Sequence, residues 1–195
     1  MAKLLDTIES VEDISLWALD ETGKRLESNN QYFWGPKGQS TMVERNGSHK
    51  GINIVGATEI KEHFTFVYDA YKKDDGALKA AHIIKFMEHL IDYDRKRGIC
   101  KTMIVLDNAK PHTAAEVKEF AVAHENDLVL IHQPPYSPEL NPQENMWNWL
   151  KDNISEASAA KNVQELLERV HNFGIYIATV PDKVKSWLYA RNFYK

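Results

Sequence analysis

The chain has 195 residues, of which 43% are hydrophobic and 27% are charged, a balance that excludes an intrinsically disordered protein. The single cysteine, Cys100, excludes an internal disulfide, and no segment approaches the roughly 18 consecutive apolar residues of a membrane helix. We therefore expect an intracellular protein, in the cytoplasm or nucleoid if the host is bacterial. The net charge of −4 is unlike that of a stand-alone DNA-binding module.

Strand-like segments fill the first third of the chain. The run ISLWALD (14–20) is typical of a half-buried strand, and the following Glu21-Thr22-Gly23 predicts the turn that ends it. Further strands are predicted at QYFW (31–34), at GINIVGA (51–57) and in the alternating segment 64–68. Consecutive strands of this kind indicate an antiparallel meander.

The hydrophobic pattern changes to a helical period at residue 80. Apolar residues recur every three or four positions up to residue 91, which predicts a helix, and Gly98 is its expected stop. The apolar run TMIVL (102–106) predicts a strand covered on both faces, and it ends at Asp107. Thr113 and Glu116 have capping-box spacing, so we expect them to open a helix that continues to about Asn126.

Strands and helices alternate in the remainder of the chain. LVLIH (128–132) predicts another buried strand, and Asn141 with Pro142 predicts the cap and first residue of a helix that ends at about Ile154. Helical spacing also marks segments 163–170 and 184–188. A meander followed by helix-linked strands indicates one α/β domain over residues 1–195, with a mixed sheet and helices on its faces.

Three carboxylates stand where such a sheet would bring them together. Asp20 and Asp107 each end a predicted strand, and Glu144 lies in the first turn of a predicted helix. If the two strands are parallel neighbours, both aspartates emerge at one edge of the sheet. Mg²⁺ and Mn²⁺ prefer oxygen ligands, and two such ions about 3.5–4 Å apart can catalyse phosphoryl transfer. This set of residues therefore suggests a two-metal site.

Each acid also has a purely structural interpretation. Asp20 precedes a predicted turn, and Asp107 with Asn108 could begin a loop. Glu144 lies three residues after Asn141, so it could complete a capping box, and the helix dipole favours an acid there in any case. Only the combination of the three with their neighbours favours chemistry.

Three blocks of sequence resemble the catalytic blocks of a known family. VLDNAKPHTA (105–114) and HQPPYSPELNPQENMWNWLK (132–151) are similar to the second and third catalytic blocks of mariner-like transposases and related bacterial insertion sequences, within the DDE endonuclease superfamily. LDETG (19–23) and WGPKGQ (34–39) resemble the first block. Between Asp107 and Glu144 lie 36 residues, an interval close to that of the family.

The resemblance implies a ribonuclease H-like fold, a mixed sheet with helices on both faces. It implies that Asp20, Asp107 and Glu144 are the acidic triad and hold Mg²⁺ or Mn²⁺, with two ions expected. The implied activity is cleavage of DNA at a transposon end and attack of the freed 3′-hydroxyl on target DNA, by a homodimer. Asn108 and His112 match a family pattern and are expected to position DNA phosphate or orient a metal ligand, although His112 could equally be a polar residue bordering a helix start.

The chain departs from the family at its start. The first catalytic strand begins near residue 14, which leaves no room for the N-terminal helix-turn-helix modules that recognise transposon ends. We therefore expect that DNA-binding domain to be absent. Two alternatives to a transposase remain open at this point: a ribonuclease H-like nuclease or resolvase, and a catalytically inactive domesticated module that binds DNA.

Side chains elsewhere have ordinary roles in this interpretation. Trp147 and Leu150 are expected in the core rather than as a platform for bases. Basic residues could contact DNA phosphate or simply be solvated. They are found at 95–97 and at Lys183, Lys185, Arg191 and Lys195.

Overall fold

A computed structural model describes residues 1–26, 49–155 and 160–194. Within them, five strands form one sheet in the order β3-β2-β1-β4-β5. The strands are β1 (Ile14–Arg25), β2 (Gly51–Glu59), β3 (Phe66–Lys72), β4 (Lys101–Leu106) and β5 (Leu128–His132). The predicted strand 31–34 and the segment WGPKGQ lie outside the described residues.

The sheet is mixed, as predicted. β1 pairs antiparallel with β2, and β2 with β3, whereas β4 is parallel to both β1 and β5. β2 and β3 are joined directly through residues 60–65, whereas the parallel strands β4 and β5 are joined through α3, because a parallel connection must return to the opposite end of the sheet. The register sets Ala18 opposite Val105.

Helices cover both faces of the sheet, which confirms the predicted layers. On one face α2 and α3 pack on the odd-numbered residues of β1, such as Trp17 and Leu19. On the other face α4, α5 and α6 pack on the even-numbered residues, such as Leu16 and Ala18. The helices are α1 (Ala2–Ile8), α2 (Ala80–Lys96), α3 (Ala115–Ala123), α4 (Pro142–Ile154), α5 (Val163–Ala178), α6 (Pro181–Leu188) and α7 (Ala190–Phe193). In the described part of the chain, no helix has the length and apolar character needed to cross a membrane.

The predicted turn at Glu21-Thr22-Gly23 is wrong, because β1 continues through it to Arg25. Glu21 pairs with Val55 and Gly23 with Asn53 on β2. The backbone of these residues is therefore in the sheet ladder, and pairing with β2 overrides the local preference of this short polar segment for a turn.

Helix α3 does not have the predicted capping box. It begins at Ala115, and the hydroxyl of Thr113 donates to the carbonyl of Ala109, 3.2 Å away, instead of capping the helix. Ala123 is its last residue, three before the predicted end at Asn126, because a turn follows at 124–127. A local turn held by Thr113 thus takes the place of the cap.

A buried carboxylate sets the start of β3, which begins at Phe66 instead of residue 64. Glu59 is 1% exposed, and its Oε2 accepts hydrogen bonds from the backbone N–H groups of Glu62, His63 and Phe64 at 2.9, 2.6 and 3.1 Å. Phe64 lies in the left-handed region, with φ 52°. The chain therefore makes a tight loop around Glu59 before it can enter the sheet.

Helix α4 lies close against the sheet because Gly56 leaves room for a tryptophan. Trp147 and Leu150 are buried in the core, as predicted. A Cβ built on Gly56 would lie only 2.5 Å from Cη2 of Trp147. The indole ring therefore rests directly on the backbone of β2, and this contact fixes the distance between α4 and the sheet.

The basic residues considered for DNA contact have different surroundings. Arg191 forms ion pairs with Asp6 of α1, a helix that sequence patterning did not predict, and with Glu9, which follows that helix. Arg95 pairs with Asp92 and Asp127. Both arginines therefore form ion pairs within the protein surface. Lys195 lies outside the described residues.

Candidate active site

Asp20 and Asp107 lie side by side at one edge of the sheet. β1 and β4 are parallel neighbours, and each aspartate is two residues beyond the paired Ala18 and Val105. Strand side chains alternate between the two faces, so Asp20 and Asp107 share the face on which α4 packs. Both line a cleft of about 460 Å³, and Glu144 of α4 lines the same cleft. The three residues singled out in the sequence are thus brought together.

Asp20 is held by two hydrogen bonds. Its Oδ1 accepts the backbone N–H of Glu21 at 2.8 Å, and its Oδ2 accepts the side-chain amide of Asn141 at 3.1 Å. Burial raises the pKa of Asp20, the hydrogen bond from Glu21 lowers it, and the negative charges of Glu21, Glu144 and Asp107 raise it further, to about 7. A nearby cation would stabilise the charged carboxylate.

Glu144 is placed by the start of α4. Asn141 is the N-cap, as predicted, and its Oδ1 accepts the N–H of Gln143 at 3.1 Å. The N–H of Glu144 donates to the carbonyl of Asn141 at 3.2 Å, which leaves its side chain directed to the cleft rather than used in a reciprocal cap. The same amide group of Asn141 therefore caps α4 and binds Asp20.

A buried histidine connects Asp107 to the other face of the sheet. His112 is fully buried, with Nδ1 2.6 Å from Oδ1 of Asp107 and Nε2 2.8 Å from Oε2 of Glu21. Burial alone lowers the pKa of His112, but the interactions with Asp107 and Glu21 raise it to about 10. The hydrogen bond with His112 holds the pKa of Asp107 below its usual range. An imidazolium ion thus lies between two carboxylates.

Asn108 joins the ends of two parallel strands. Its side-chain amide donates to the carbonyl of Gln133 at 2.7 Å, just beyond β5. Gln133 in turn donates its backbone N–H to Leu106 at 2.9 Å and its side-chain amide to Leu140 at 2.7 Å. These bonds fix the floor of the cleft and the base of the loop that leads to α4.

The carboxylate oxygens of Asp20, Asp107 and Glu144 are ligands of the kind that a divalent cation prefers, and they line one cleft. The cleft presents oxygen ligands, and the pKa of Asp20 is raised first by burial and then by neighbouring negative charges, both of which a bound cation would offset. Within residues 1–26, 49–155 and 160–194, no group of three or more His, Cys, Asp or Glu side chains is arranged to hold a metal ion. Asp20, Asp107 and Glu144 share the cleft without forming such a group, so binding a cation there would require their side chains to move closer together.

Sequence reasoning missed two residues of this site. Glu21 was assigned to a turn, and only its continued pairing in β1 directs it to the face where His112 is buried. Asn141 was predicted as a cap, but its bond to Asp20 joins residues 121 positions apart. The Asp-Glu pair at 20 and 21, at opposite sides of one strand, was the signal that could have suggested a role for Glu21.

The five-stranded mixed sheet with helices on both faces is a ribonuclease H-like fold, and the acidic cleft lies at one edge of its sheet. Residues 15–167 match the family described as DDE superfamily endonuclease, and the chain belongs to that family. An uncharacterized protein of Sinorhizobium fredii, y4pE/y4sA, is 34% identical over 67 residues, which cover 34% of this chain and 46% of that protein.

Solved structures of the Mos1 transposase have the same fold. The mariner Mos1 paired-end complex with Mg has a TM-score of 0.63 at 16% identity, and the match covers 100% of this chain and 56% of that one. The Mos1 transposase catalytic domain with Raltegravir and Mn has a TM-score of 0.57 at 12% identity and covers 100% and 91%. The match spans about half the length of the Sinorhizobium fredii protein and most of the isolated Mos1 catalytic domain.

Proposed function

We propose that this chain is the catalytic domain of a DNA transposase, which cleaves a phosphodiester bond at a transposon end and joins the 3′-hydroxyl to target DNA. The observation that carries the proposal is the placement of Asp20, Asp107 and Glu144 around one cleft, at the ends of parallel strands, in a member of an endonuclease family. Open α/β sheets place their sites at this edge.

Asp20, Asp107 and Glu144 are the proposed ligands of two Mg²⁺ or Mn²⁺ ions. Such ions, when bound, stabilise the attacking and leaving oxygens of an in-line phosphoryl displacement. Asp20 contributes a half-buried carboxylate whose second oxygen is held by Asn141. Glu144 lies in the first turn of α4, so its distance from the two aspartates depends on how that helix packs on the sheet.

His112 and Asn108 are proposed to position this machinery. His112 holds one oxygen of Asp107, which leaves the other oxygen for a cation or substrate. Glu21 holds His112 from the opposite side and fixes the ring. Asn108 lines the cleft and is proposed to contact DNA phosphate with the part of its amide that does not bind Gln133.

The proposed substrates are transposon-end and target DNA, brought together by a homodimer inside the cell, in the cytoplasm or nucleoid if the host is bacterial. Support comes from similar structures described as a Mos1 transposase paired-end complex with left transposon end and a Mos1 strand transfer complex. The proposal assigns catalysis to residues 1–195. Recognition of the end sequence is assigned in this proposal to a separate helix-turn-helix domain, which agrees with the net charge of −4.

The test is a calorimetric Mn²⁺ titration combined with nicking and joining assays on labelled DNA. We expect Asp20→Asn, Asp107→Asn and Glu144→Gln each to reduce Mn²⁺ binding and to abolish nicking. Asp152→Asn is the matched control, because Asp152 is an exposed acid of α4 outside the cleft. Cleavage of RNA–DNA hybrids without joining would instead identify a nuclease, and DNA binding without Mn²⁺ binding or cleavage would identify an inactive module.

A further inference from the structure

An exposed tyrosine stands at the rim of the catalytic cleft. Tyr136 lies in the loop between β5 and α4 and lines the same cleft as Asp20, Asp107 and Glu144. Its relative exposure is 102%, the highest among the large hydrophobic and aromatic residues that the structure describes as exposed. Its φ of 57° is in the left-handed region, which is unfavourable for a bulky side chain. Strained, exposed aromatic residues of this kind suggest a function.

The loop around Tyr136 is built to hold the ring in place. Pro134 and Pro135 precede it, and Pro138 begins a short 3-10 helix, Pro138–Leu140. Proline fixes the backbone angle φ, so the loop has few alternative conformations to lose on binding. The bonds of Gln133 to Leu106 and Leu140 anchor the base of the loop. The ring is thus presented to solvent by a stiff backbone.

We propose that the ring of Tyr136 stacks on an unpaired nucleobase of the DNA strand whose phosphate enters the cleft. The proposal rests on the proposed function, because it takes DNA as the molecule that the carboxylates act on. Each phosphate of a DNA strand is linked through a deoxyribose to a flat base, and an aromatic ring can stack on the face of any of the four bases. Tyr136 thereby fixes the strand beside the reacting group without reading its sequence.

Three variants separate stacking from backbone and surface effects. Tyr136→Phe keeps the ring and loses only the hydroxyl. Tyr136→Asn removes the ring and is matched to the backbone, because asparagine tolerates the left-handed region better than most residues. Tyr176→Asn makes the same exchange at a partly exposed tyrosine of α5 that lies outside the cleft.

The probe is a DNA duplex with a single-stranded 3′ overhang, labelled for fluorescence anisotropy and measured in Ca²⁺, which prefers oxygen ligands. We expect Tyr136→Asn to bind roughly 5- to 150-fold more weakly than the parent, the range for loss of one base–aromatic stack. Tyr136→Phe and Tyr176→Asn should bind like the parent.

A scan of abasic sites across the junction then completes a double-mutant cycle. At the stacked position the abasic probe should weaken the parent by the same factor as Tyr136→Asn, and it should not weaken that variant further. Equal binding by the parent and Tyr136→Asn, or independent losses at every scanned position, would overturn the proposal. The exposed ring would then be interpreted as a contact for another protein. Coupling without any Mn²⁺-dependent cleavage would refute the proposed function alone, and cleavage without coupling would refute stacking alone.

Discussion

Gly56→Ala is expected to destabilise the protein and to disturb the candidate active site at the same time. The added Cβ would lie 2.5 Å from Cη2 and 3.2 Å from Cζ2 of Trp147, distances that require the indole to move. Overfilling a packed core costs about 1–3 kcal/mol. Replacing glycine by alanine restores about 0.4–1 kcal/mol by restricting the unfolded chain. The difference of the two ranges is about 0–2.6 kcal/mol, and because the clash at 2.5 Å is severe we expect a loss of about 1–2 kcal/mol of unfolding free energy.

Thermal unfolding and nicking assays measure the two consequences separately. For a domain of this size, a loss of about 1–2 kcal/mol lowers Tm by roughly 2–8 °C. Trp147 is three residues after Glu144 on α4, so a shift of the indole moves the carboxylate as well. A displacement of about 1 Å can reduce catalysis by about 100-fold. Nicking at a temperature where the variant is folded should therefore fall more than its stability explains.

Gly23→Ala is the matched control on the neighbouring strand. There the added Cβ would lie 3.3 Å from the side-chain oxygen of Asn53, which can move, and no ring is in the way. Its Tm should stay within a few degrees of the parent's, roughly the effect of under 1 kcal/mol. If Gly56→Ala were as stable and as active as Gly23→Ala, the close packing of Trp147 on β2 would not set the position of α4.

Three further predictions concern charged groups. Glu59→Gln should lower the unfolding free energy in urea by about 1–3 kcal/mol, because an amide N–H₂ would face backbone N–H donors; an unchanged midpoint would contradict this. His112 should remain protonated in NMR spectra at pH 8, since its pKa is raised to about 10. The protonated ring stabilises the fold fully below the unfolded pKa of about 6.5, and this stabilisation is lost as the pH rises through 10. Hydrogen bonds from Arg191 and Tyr189 lower the pKa of Glu9 to about 2. The Glu9–Arg191 ion pair therefore stabilises the fold above the ordinary pKa of Glu9, and this stabilisation is lost as the pH falls through 2. Arg191→Ala should unfold at a higher pH than the parent in acid titrations monitored by circular dichroism, and equal midpoints would refute the prediction.

The layers of the fold were predictable because they depend on local periodicity. LVLIH coincides with β5, and Asn141 with Pro142 correctly marks the start of α4. The turn at 21–23 and the cap at Thr113 failed for one reason: both were inferred from short polar segments whose conformation is decided by partners elsewhere. Residues 21–23 are extended because they pair with β2. The hydroxyl of Thr113 does not cap α3 because it donates to the carbonyl of Ala109.

The members of the site were easier to predict than the contacts that hold them. Asp20 and Asp107 could be placed together because parallel strands end at one edge of a sheet. The contact of His112 with Asp107 joins residues five apart within the family pattern, whereas its contact with Glu21 crosses between the two faces of the sheet and is encoded by no spacing in the sequence. The loop at Glu59 was likewise hidden, because an acid at the end of a strand gives no sign that it is buried.

Asn141 shows how a capping residue can also be part of the site, and one substitution separates its two roles. Asn141→Asp keeps an oxygen that can accept the N–H of Gln143, and aspartate caps helices about as well as asparagine, so Tm should change by no more than a few degrees, roughly the effect of 1 kcal/mol. The same change replaces the amide donor to Asp20 with a negative charge, which repels that carboxylate. Nicking at neutral pH should therefore fall while stability is kept, whereas Asn141→Ala should lose both. Parental nicking rates in Asn141→Asp would mean that Asn141 only caps α4, and that Asp20 is positioned without it.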